Sequence, residues 1–336
     1  MASAVLRKEG RRVGSLTSSF TLKALAAGGD GALVPASSSC LPQLSEELPP
    51  FGLRTISTQI VRNRMKSVKS IQKITKAMKM VASSKLRAIQ TKAENSRGLW
   101  QPFTALLGDV PGIDVKKNVY ITVTSDKGLC GGINSTSVKI SKAFSKMVSG
   151  PDKEAKYVII GEKGKAILQR DSKQYIGISV TEMQKNPINF SQVSMVVDDV
   201  LKNVEFDAIR IIFNKFQSIV SFLPTVSTVL SPEIAEKESE AGGKLGELES
   251  YEIEGAETKG EVLQNLSEFH FACALFNACL ENACSEQGAR MSAMDSSSRN
   301  AGEMLDRLTL TYNRTRQAAI TTELTEIISG ASALTG

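Results

Sequence analysis

The chain has 336 residues, of which 41% are hydrophobic, and a formal net charge of +6. This is enough apolar material for at least one core. The sequence contains no run of about 18 consecutive apolar residues, the length needed to cross a bilayer. Only 5% of the residues are aromatic, which is typical of proteins built from long Ala-, Leu- and Met-rich helices and argues against a compact enzyme.

The first fifty-odd residues have the composition of an organellar transit peptide. Up to Gly29 they contain five basic side chains and one acid, Glu9, with abundant Ser and Ala and with apolar residues at helical spacing. A secretory signal would need a continuous apolar core, which is missing. We therefore predict a transit peptide and unstructured lead over 1–56, cleaved near 54–57; the alternative is a merely disordered tail.

Residues 57–110 are predicted to form one long helix of about 75 Å. No proline occurs until Pro102, and apolar residues three or four apart mark a narrow seam that is typical of a coiled coil. The residues of the predicted seam are Val61, Met65, Val68, Ile71, Ile74, Met78 and Val81. Between Ile60 and Arg97 eleven Lys and Arg accompany a single acid, Glu94. This charge predicts docking onto acidic partners.

Residues 118–231 alternate strand and helix signals, which predicts an open, Rossmann-like α/β domain. Strands are expected at 119–124, 157–160, 176–180 and 209–213, and helices from Ser135, at 161–170 and at 191–201. The segment 218–230 is interrupted by Pro224 and is expected to be an edge strand.

A glycine-rich loop, SDKGLCGGIN at 125–134, follows the first predicted strand and opens a helix. Rossmann folds hold nucleotide phosphates at this position. The spacing, however, is neither that of the dinucleotide fingerprint nor that of a P-loop. We interpret it as a tight turn that contacts a neighbour, with nucleotide binding as the alternative.

An acidic, Gly- and Glu-rich linker is predicted over 232–259. Ten Glu and three Lys lie between Leu230 and Glu261, which indicates a solvated stretch or one that pairs with the basic helix.

The last segment, 260–336, is predicted to be a still longer helix, on the order of 110 Å. It contains no proline, and a heptad seam runs along it, turns polar, and then resumes. The seam comprises Val262, Leu266, Phe269, Cys273, Phe276, Leu280 and Ala283, then Gln287, Arg290 and Ser298, then Ala301, Leu305, Leu308 and Tyr312. Two seams of opposite chain direction predict an antiparallel coiled coil whose C-terminal helix projects beyond its partner.

Residues for catalysis or metal binding are scarce. His270 is the one histidine and lies in a helical seam, where a packed or solvated side chain is expected rather than a Ser/His/Asp role. The five cysteines have no zinc spacing. No cofactor, metal or catalytic residue is predicted.

Four segments resemble the signatures of F-type ATP synthase gamma subunits, and the resemblance covers about 57–336. They are IQKITKAMKMVASSKL at 71–86, the loop at 125–134, SEQGARMSAM at 285–294 and YNRTRQAAITTELTEIISG at 312–330. The N-terminal extension is most similar to plant mitochondrial members. Chloroplast members carry a redox-active cysteine pair in the α/β domain, and this chain has no cysteine between Cys130 and Cys273.

The resemblance implies a central rotor stalk without a catalytic site of its own. In the family the coiled coil turns inside a ring of alpha and beta subunits, and the α/β domain sits on the membrane c-ring beside small central-stalk subunits. It implies a peripheral place on the matrix side of the mitochondrial inner membrane, with no nucleic acid and no direct membrane span.

Residues expected at partner contacts are carried over from the matching motifs. Arg316 and Gln317 are expected to hydrogen-bond a beta-subunit loop, with Thr321 and Glu323 nearby. Met78, Lys76 and Lys79 are expected to face the same region from the first helix. Ile327 and Ile328 belong to an apolar tip that would turn in an apolar collar; a frayed or self-associating end is the alternative.

Two other functions fit parts of the sequence. A nucleotide-dependent oxidoreductase would use the α/β insert and would bind ATP or NAD in a titration. A basic coiled-coil scaffold would use the first helix, and a version that binds nucleic acid would show steeply salt-dependent affinity for duplex. Its Lys and Arg residues, however, are not interleaved with aromatic side chains.

Overall fold

The computed structural model describes residues 58–107, 113, 115–148, 154–185, 187–240 and 259–335. The predicted transit peptide and most of the predicted acidic linker lie outside the described residues. Every described residue belongs to one compact unit, Thr55–Gly336.

A five-stranded α/β domain lies between two long helices in chain order, which confirms the predicted fold class. The N-terminal helix, α1, spans Thr58–Leu107, and the C-terminal helix, α6, spans Lys259–Thr335. The strands are β1 (Lys117–Val123), β2 (Glu154–Ile160), β3 (Ile176–Val180), β4 (Ala208–Phe216) and β5 (Phe222–Leu230). The shorter helices are α2 (Ile133–Val148), α3 (Glu162–Asp171), α4 (Phe190–Asn203) and α5 (Pro232–Glu240), with a 3-10 turn at Lys173–Tyr175.

The sheet has the strand order β3-β2-β1-β4-β5. Strands β1 to β4 are parallel, and β5 pairs antiparallel with β4 at the edge, where Pro224 stands opposite Asn214. An edge strand tolerates proline because one side of its ladder is free. The strand order reverses between β1 and β4, so the topological switch point of this Rossmann-like sheet lies there.

Helix α6 is the central element of the core. It packs with α4 on one face of the sheet, where Val193, Ile209 and Leu275 belong to one buried cluster. Helices α2 and α3 cover the other face through Val138 and Leu168. Because α1 lies along the outer side of α6, nearly every residue of α6 between 270 and 288 is buried. A heptad seam therefore understates the burial of α6 over this stretch.

The two long helices are antiparallel, as predicted. Phe103 stacks edge-on against Phe269, with ring centroids 5.3 Å apart. Further along, the Lys79 ammonium lies 2.6 Å from the Asp295 carboxylate. Because the helices are antiparallel, each step toward the N-terminus of α1 matches a step toward the C-terminus of α6. Thr58, 21 residues before Lys79, is therefore level with about residue 316. The remaining twenty or so residues of α6 extend roughly 30 Å beyond the first described residue of α1.

Part of the predicted seam of α1 was wrong. Ile71, Ile74 and Val81 are 52%, 57% and 55% exposed. The buried positions repeat strictly every seven residues and pass through polar side chains: Val61, Val68, Thr75 and Ala82 are buried, and Gln72 and Lys79 are half-buried between them. Three successive steps of three residues, from Met65 to Ile74, carry the predicted seam onto a neighbouring face.

Two boundaries also differ from those expected. Helix α2 begins at Ile133, so Ser135 lies in its first turn and does not cap it. Within the predicted linker, α5 forms because Pro232 occupies the first helical position and Glu233 follows in the first turn. The Ala235 N–H closes this turn on the Ser231 carbonyl at 2.9 Å.

His270 is packed as expected, and its burial gives a pH dependence. It is buried and stacks on Phe103 at 6.4 Å between centroids, and burial lowers its pKa to about 4. Between pH 6.5 and 4 only the unfolded chain is protonated at this residue, so stability falls as the pH falls. From pH 7 to pH 5 we expect this histidine to reduce the free energy of unfolding by about 2 kcal/mol.

Urea unfolding of the parent and of His270→Leu at both pH values measures this contribution. The variant should lose less stability between pH 7 and pH 5 than the parent does. Identical losses in the two proteins would mean that the buried imidazole is not the cause.

Candidate partner-contact surface on the helical shaft

We call shaft the part of the coiled coil beyond the sheet, residues 58–83 of α1 and 291–335 of α6. Along α1 it carries an exposed basic stripe, Lys66, Lys69, Lys73 and Lys76. None of the four forms an ion pair with another described residue. Their positive charge is therefore available to an acidic partner.

Lys79 differs from these lysines because it points at α6. Its ammonium and the guanidinium of Arg299, at 3.0 Å, share the carboxylate of Asp295. The hydrogen bond from Lys79, with the charges of Lys79 and Arg299, lowers the pKa of Asp295. Lys79 thus ties the two helices together, a role that the sequence did not indicate.

An open groove of about 920 Å³ runs between α1 and α6 at the end of the shaft nearest the sheet. Its lining includes the cations Lys76 and Arg87 and the methionines Met80 and Met291. Close by, Ile71, Ile74 and Val81 form an exposed apolar face, whereas the exposed Met80 lies on the side of the basic stripe. Apolar side chains clustered on one face and flanked by charges mark a protein-binding surface.

The projecting end of α6 carries most of the predicted contact residues. Arg316, Gln317, Thr321, Glu323, Ile327 and Ile328 are all exposed there. The Thr321 hydroxyl donates to the Gln317 carbonyl of its own helix at 2.9 Å. Beyond Leu324, the side chains of Ile327, Ile328 and Leu334 form the apolar tip without cover from the described chain.

The structure does not bring the two predicted groups to one level. Met78 is half-buried and Lys76 is exposed, and both lie beside the level of Asp295. Arg316 is about twenty residues further along α6, or roughly 30 Å away. If both groups contact partners, they contact different levels of them.

The glycine-rich loop contacts α6. Arg290 donates to the Gly128 carbonyl at 3.3 Å, so this turn packs against α6 of the same chain. Leu129 and Gly131 adopt positive φ values of 64° and 62°. At the switch point, Asn282 and Ser285 of α6 bind Asn214 at the end of β4. Helix α6 thus fills the crevice in which a Rossmann nucleotide would lie.

The described cysteines are buried thiols. Cys130, Cys273, Cys279 and Cys284 are free and buried, and Cys40 lies outside the described residues. Burial raises the pKa of Cys273 to about 11 and those of Cys279 and Cys284 to about 12. Among the described residues no group of three or more His, Cys, Asp or Glu is placed to hold a metal ion.

We expect these four thiols to resist alkylation, because the thiolate is the reactive form and each side chain is enclosed. Mass spectrometry after a brief maleimide treatment at pH 7 should find them unmodified in the native chain and modified in urea. Rapid labelling of Cys279 in the native chain would contradict the burial described here.

Comparison with known proteins identifies the chain. A family model described as ATP synthase matches residues 57–334. The chain is 72% identical to the mitochondrial ATP synthase subunit gamma of Ipomoea batatas, over 100% of both chains. It is 40% identical to the ATP synthase gamma chain of Dinoroseobacter shibae, over 82% of this chain and 98% of that one.

The chain belongs to the ATP synthase gamma-subunit family. The resemblance seen in its motifs is thereby confirmed. A solved structure of the Euglena gracilis mitochondrial ATP synthase, with OSCP, F1 and c-ring, contains a chain of the same fold. Its TM-score is 0.71 at 21% identity, and the match covers 82% of this chain and 94% of that chain.

The family signatures lie mainly on the shaft and next to it. Segment 71–86 of α1 faces segment 285–294 of α6, because Lys79 in the first segment pairs with Asp295, the residue that follows the second. Segment 312–330 forms the projecting end. Among the described residues we find no helical segment with the length and hydropathy of a membrane span.

Proposed function

We propose that this chain is the central rotor stalk of an F1Fo ATP synthase. The observation that carries this function is a two-helix shaft, with a projecting single-helix end, that grows out of a compact α/β domain. The gamma subunits to which the chain is 72% and 71% identical are named as mitochondrial ATP synthase subunits. The solved relatives come from F1 and c-ring assemblies.

In this role the shaft stands inside the ring of alpha and beta subunits, and the sheet domain contacts the c-ring and the small central-stalk subunits. Proton flow turns the c-ring, and the shaft turns with it. Because its exposed surface differs from side to side, basic on one stripe and apolar on another, each beta subunit meets a different surface in turn. Rigid-body contact of this kind shifts binding states without chemistry in the shaft itself.

The contact residues follow from the exposed surface of the shaft. Arg316 and Gln317 can bind a beta-subunit loop because both side chains are exposed on the projecting end. Lys76 and Met78 contact a second level of the ring near the groove, while Lys79 remains engaged with Asp295. The apolar tip at Ile327 and Ile328 turns in the apolar upper part of the ring.

Assembly tests this function directly. When the full chain is co-expressed with the alpha and beta subunits of a plant mitochondrial ATP synthase, one copy should co-purify with a ring of alternating subunits. A photoreactive residue placed at position 316 should cross-link to the beta subunit. In the whole enzyme, one placed on the sheet domain should cross-link to the c-ring. If the alpha and beta subunits form rings that lack this chain, and the chain elutes separately from them, the rotor function is refuted.

We further propose that residues 1–56 are a mitochondrial transit peptide and that the mature chain is peripheral, on the matrix side of the inner membrane. The family model begins at residue 57, and the bacterial relative covers only 82% of this chain although 98% of its own length is matched. N-terminal sequencing of the mature protein should give a start between about 54 and 58. A start before about residue 40 would contradict the assignment.

A further inference from the structure

Helix α6 changes character where it leaves the sheet. Over 281–290 one of its faces is polar yet buried. We call these five side chains the polar clamp: Glu281, Asn282, Ser285, Glu286 and Arg290. The first four are 4%, 1%, 2% and 2% exposed, and the side chain of Arg290 is 11% exposed.

Three members of the polar clamp bind the carboxyl end of β4. The Phe216 backbone N–H donates to the Glu281 carboxylate at 2.9 Å. The Asn214 side-chain amide donates to the Asn282 Oδ1 atom at 2.9 Å, and the Ser285 hydroxyl donates to the Asn214 carbonyl at 2.8 Å. Each bond joins a side chain of α6 to the last residues of one central strand.

The other two members form an ion pair whose cation, Arg290, reaches the loop after β1. Arg290 pairs with Glu286 at 2.5 Å and donates to the Gly128 carbonyl at 3.3 Å. Burial raises the pKa of Glu286, and the charge and hydrogen bond of Arg290 oppose that rise. A buried carboxylate is costly unless it is paired in this way. The polar clamp therefore holds α6 against both strands that flank the switch point.

Along the described shaft, the one side-chain hydrogen bond from α6 to another element is the partly exposed pair between Lys79 and Asp295. It joins α6 to α1 and not to the sheet. The buried residues of the shaft are otherwise apolar, small or uncharged: Val61, Val68, Thr75 and Ala82 on α1, and Met294, Ser298 and Ala301 on α6. Apolar contacts have no preferred direction, so they resist separation of two helices better than rotation of one about its own axis. Hydrogen bonds are directional and do resist such rotation.

We propose that the polar clamp sets the rotation of α6 about its own axis relative to the sheet, and that torque applied to the sheet domain enters the shaft through it. Its members are positioning residues that decide which side of the shaft faces each partner. The second half of this inference rests on the proposed rotor function; the first half does not.

Spin-label distances in the free full chain test the first half. Labels at Gln169→Cys on α3 and Asp306→Cys on α6 report the rotation of the shaft helix, in a background in which Cys40 is replaced by Ser. The triple variant Glu281→Ala, Asn282→Ala and Ser285→Ala removes the three bonds to β4 and should broaden the distance distribution. Each lost bond raises the population of other rotational positions of α6 by about fivefold.

Two further variants separate a directional role from general stability. Glu281→Gln keeps an acceptor for the Phe216 N–H and should give the parent distribution. Leu275→Ala removes an apolar contact of the same helix with the same sheet but no hydrogen bond, so it should lower stability and leave the distance unchanged. If the triple variant does not fold, Arg290→Met, at the partly exposed end, should still broaden the distribution.

Coupling in the assembled enzyme tests the second half. The variants that broaden the distances should lose proton-driven ATP synthesis roughly tenfold or more, while Glu281→Gln and Leu275→Ala keep it. Unchanged distances in both the triple variant and Arg290→Met would overturn the polar clamp. Broadened distances with full synthesis would overturn its role in torque. Failure of the parent chain to assemble would count against the rotor function, and the free-chain distances would still decide the clamp.

Discussion

Replacing Arg316 and Gln317 together by alanine is expected to reduce proton-driven ATP synthesis at least about tenfold, because hydrogen bonds to charged groups each contribute about 1.5 to 3 kcal/mol. Both side chains lie exposed on the projecting end of α6, and no part of the described chain covers them. Arginine can form paired hydrogen bonds with a carboxylate. A contact of this kind with a beta-subunit loop lets the turning shaft act on the catalytic site.

The fold of the chain should survive this double substitution. Alanine is the best helix former, and the residues replaced bury nothing in the free chain. Helix content and the urea midpoint of the double variant should therefore match those of the parent. Any loss of synthesis then reflects a contact with a partner.

A control pair on the same helix makes the result specific. Asn313→Ala with Arg314→Ala removes one amide and one guanidinium from exposed positions a turn earlier, and Arg314 points to nearly the opposite side of the helix from Arg316. This pair should reduce synthesis less. Equal effects of the two pairs, or full synthesis with Arg316 and Gln317 replaced, would remove these two residues from the mechanism.

Gly161→Ala is expected to destabilise the chain by roughly 3 kcal/mol, the largest effect on stability that we expect from a single methyl group. Gly161 links β2 to α3 with φ of 103°, where a side chain is strained. A Cβ atom there would lie 2.5 Å from the Thr124 carbonyl oxygen. Thr124 cannot move aside, because its backbone N–H and its hydroxyl both bind the Ile160 carbonyl at 2.8 Å.

The matched control is Gly98→Ala in α1. No heavy atom lies within 4 Å of a Cβ built at Gly98, and alanine stabilises a helix interior by about 1 kcal/mol relative to glycine. The urea midpoint should therefore fall for Gly161→Ala and rise for Gly98→Ala, although both variants add the same methyl group. A stable Gly161→Ala variant would show that the turn can relax in a way that these contacts do not indicate.

The sequence predicted the two long helices and the sheet because their signals are long and local. The absence of proline over 260–336 and the alternation of strand and helix signals between 118 and 231 do not depend on tertiary contacts. Family motifs then placed the candidate contact residues on the shaft.

Sequence reasoning failed where a tertiary contact overrides a local pattern. Ile71, Ile74 and Val81 look like seam residues, but the contact with α6 follows a strict heptad that places Thr75 and Lys79 inward. The polar clamp was missed for a related reason. Its buried Glu281 and Glu286 resemble solvated helix residues until the end of β4 and the loop after β1 are seen beside them.

The place of α6 in the core has a consequence for how the chain is made. All five strands are complete by Leu230, yet Phe271, Leu275 and Leu280, which cover the apolar face that α4 leaves open, come from the last 77-residue helix. Helix α1, made first, must also wait for this segment before it can pack. A nascent or partly imported polypeptide therefore holds an open apolar sheet face and an unpaired amphipathic helix until its final segment arrives, which makes it a substrate for chaperones and prone to aggregation if synthesis stops early.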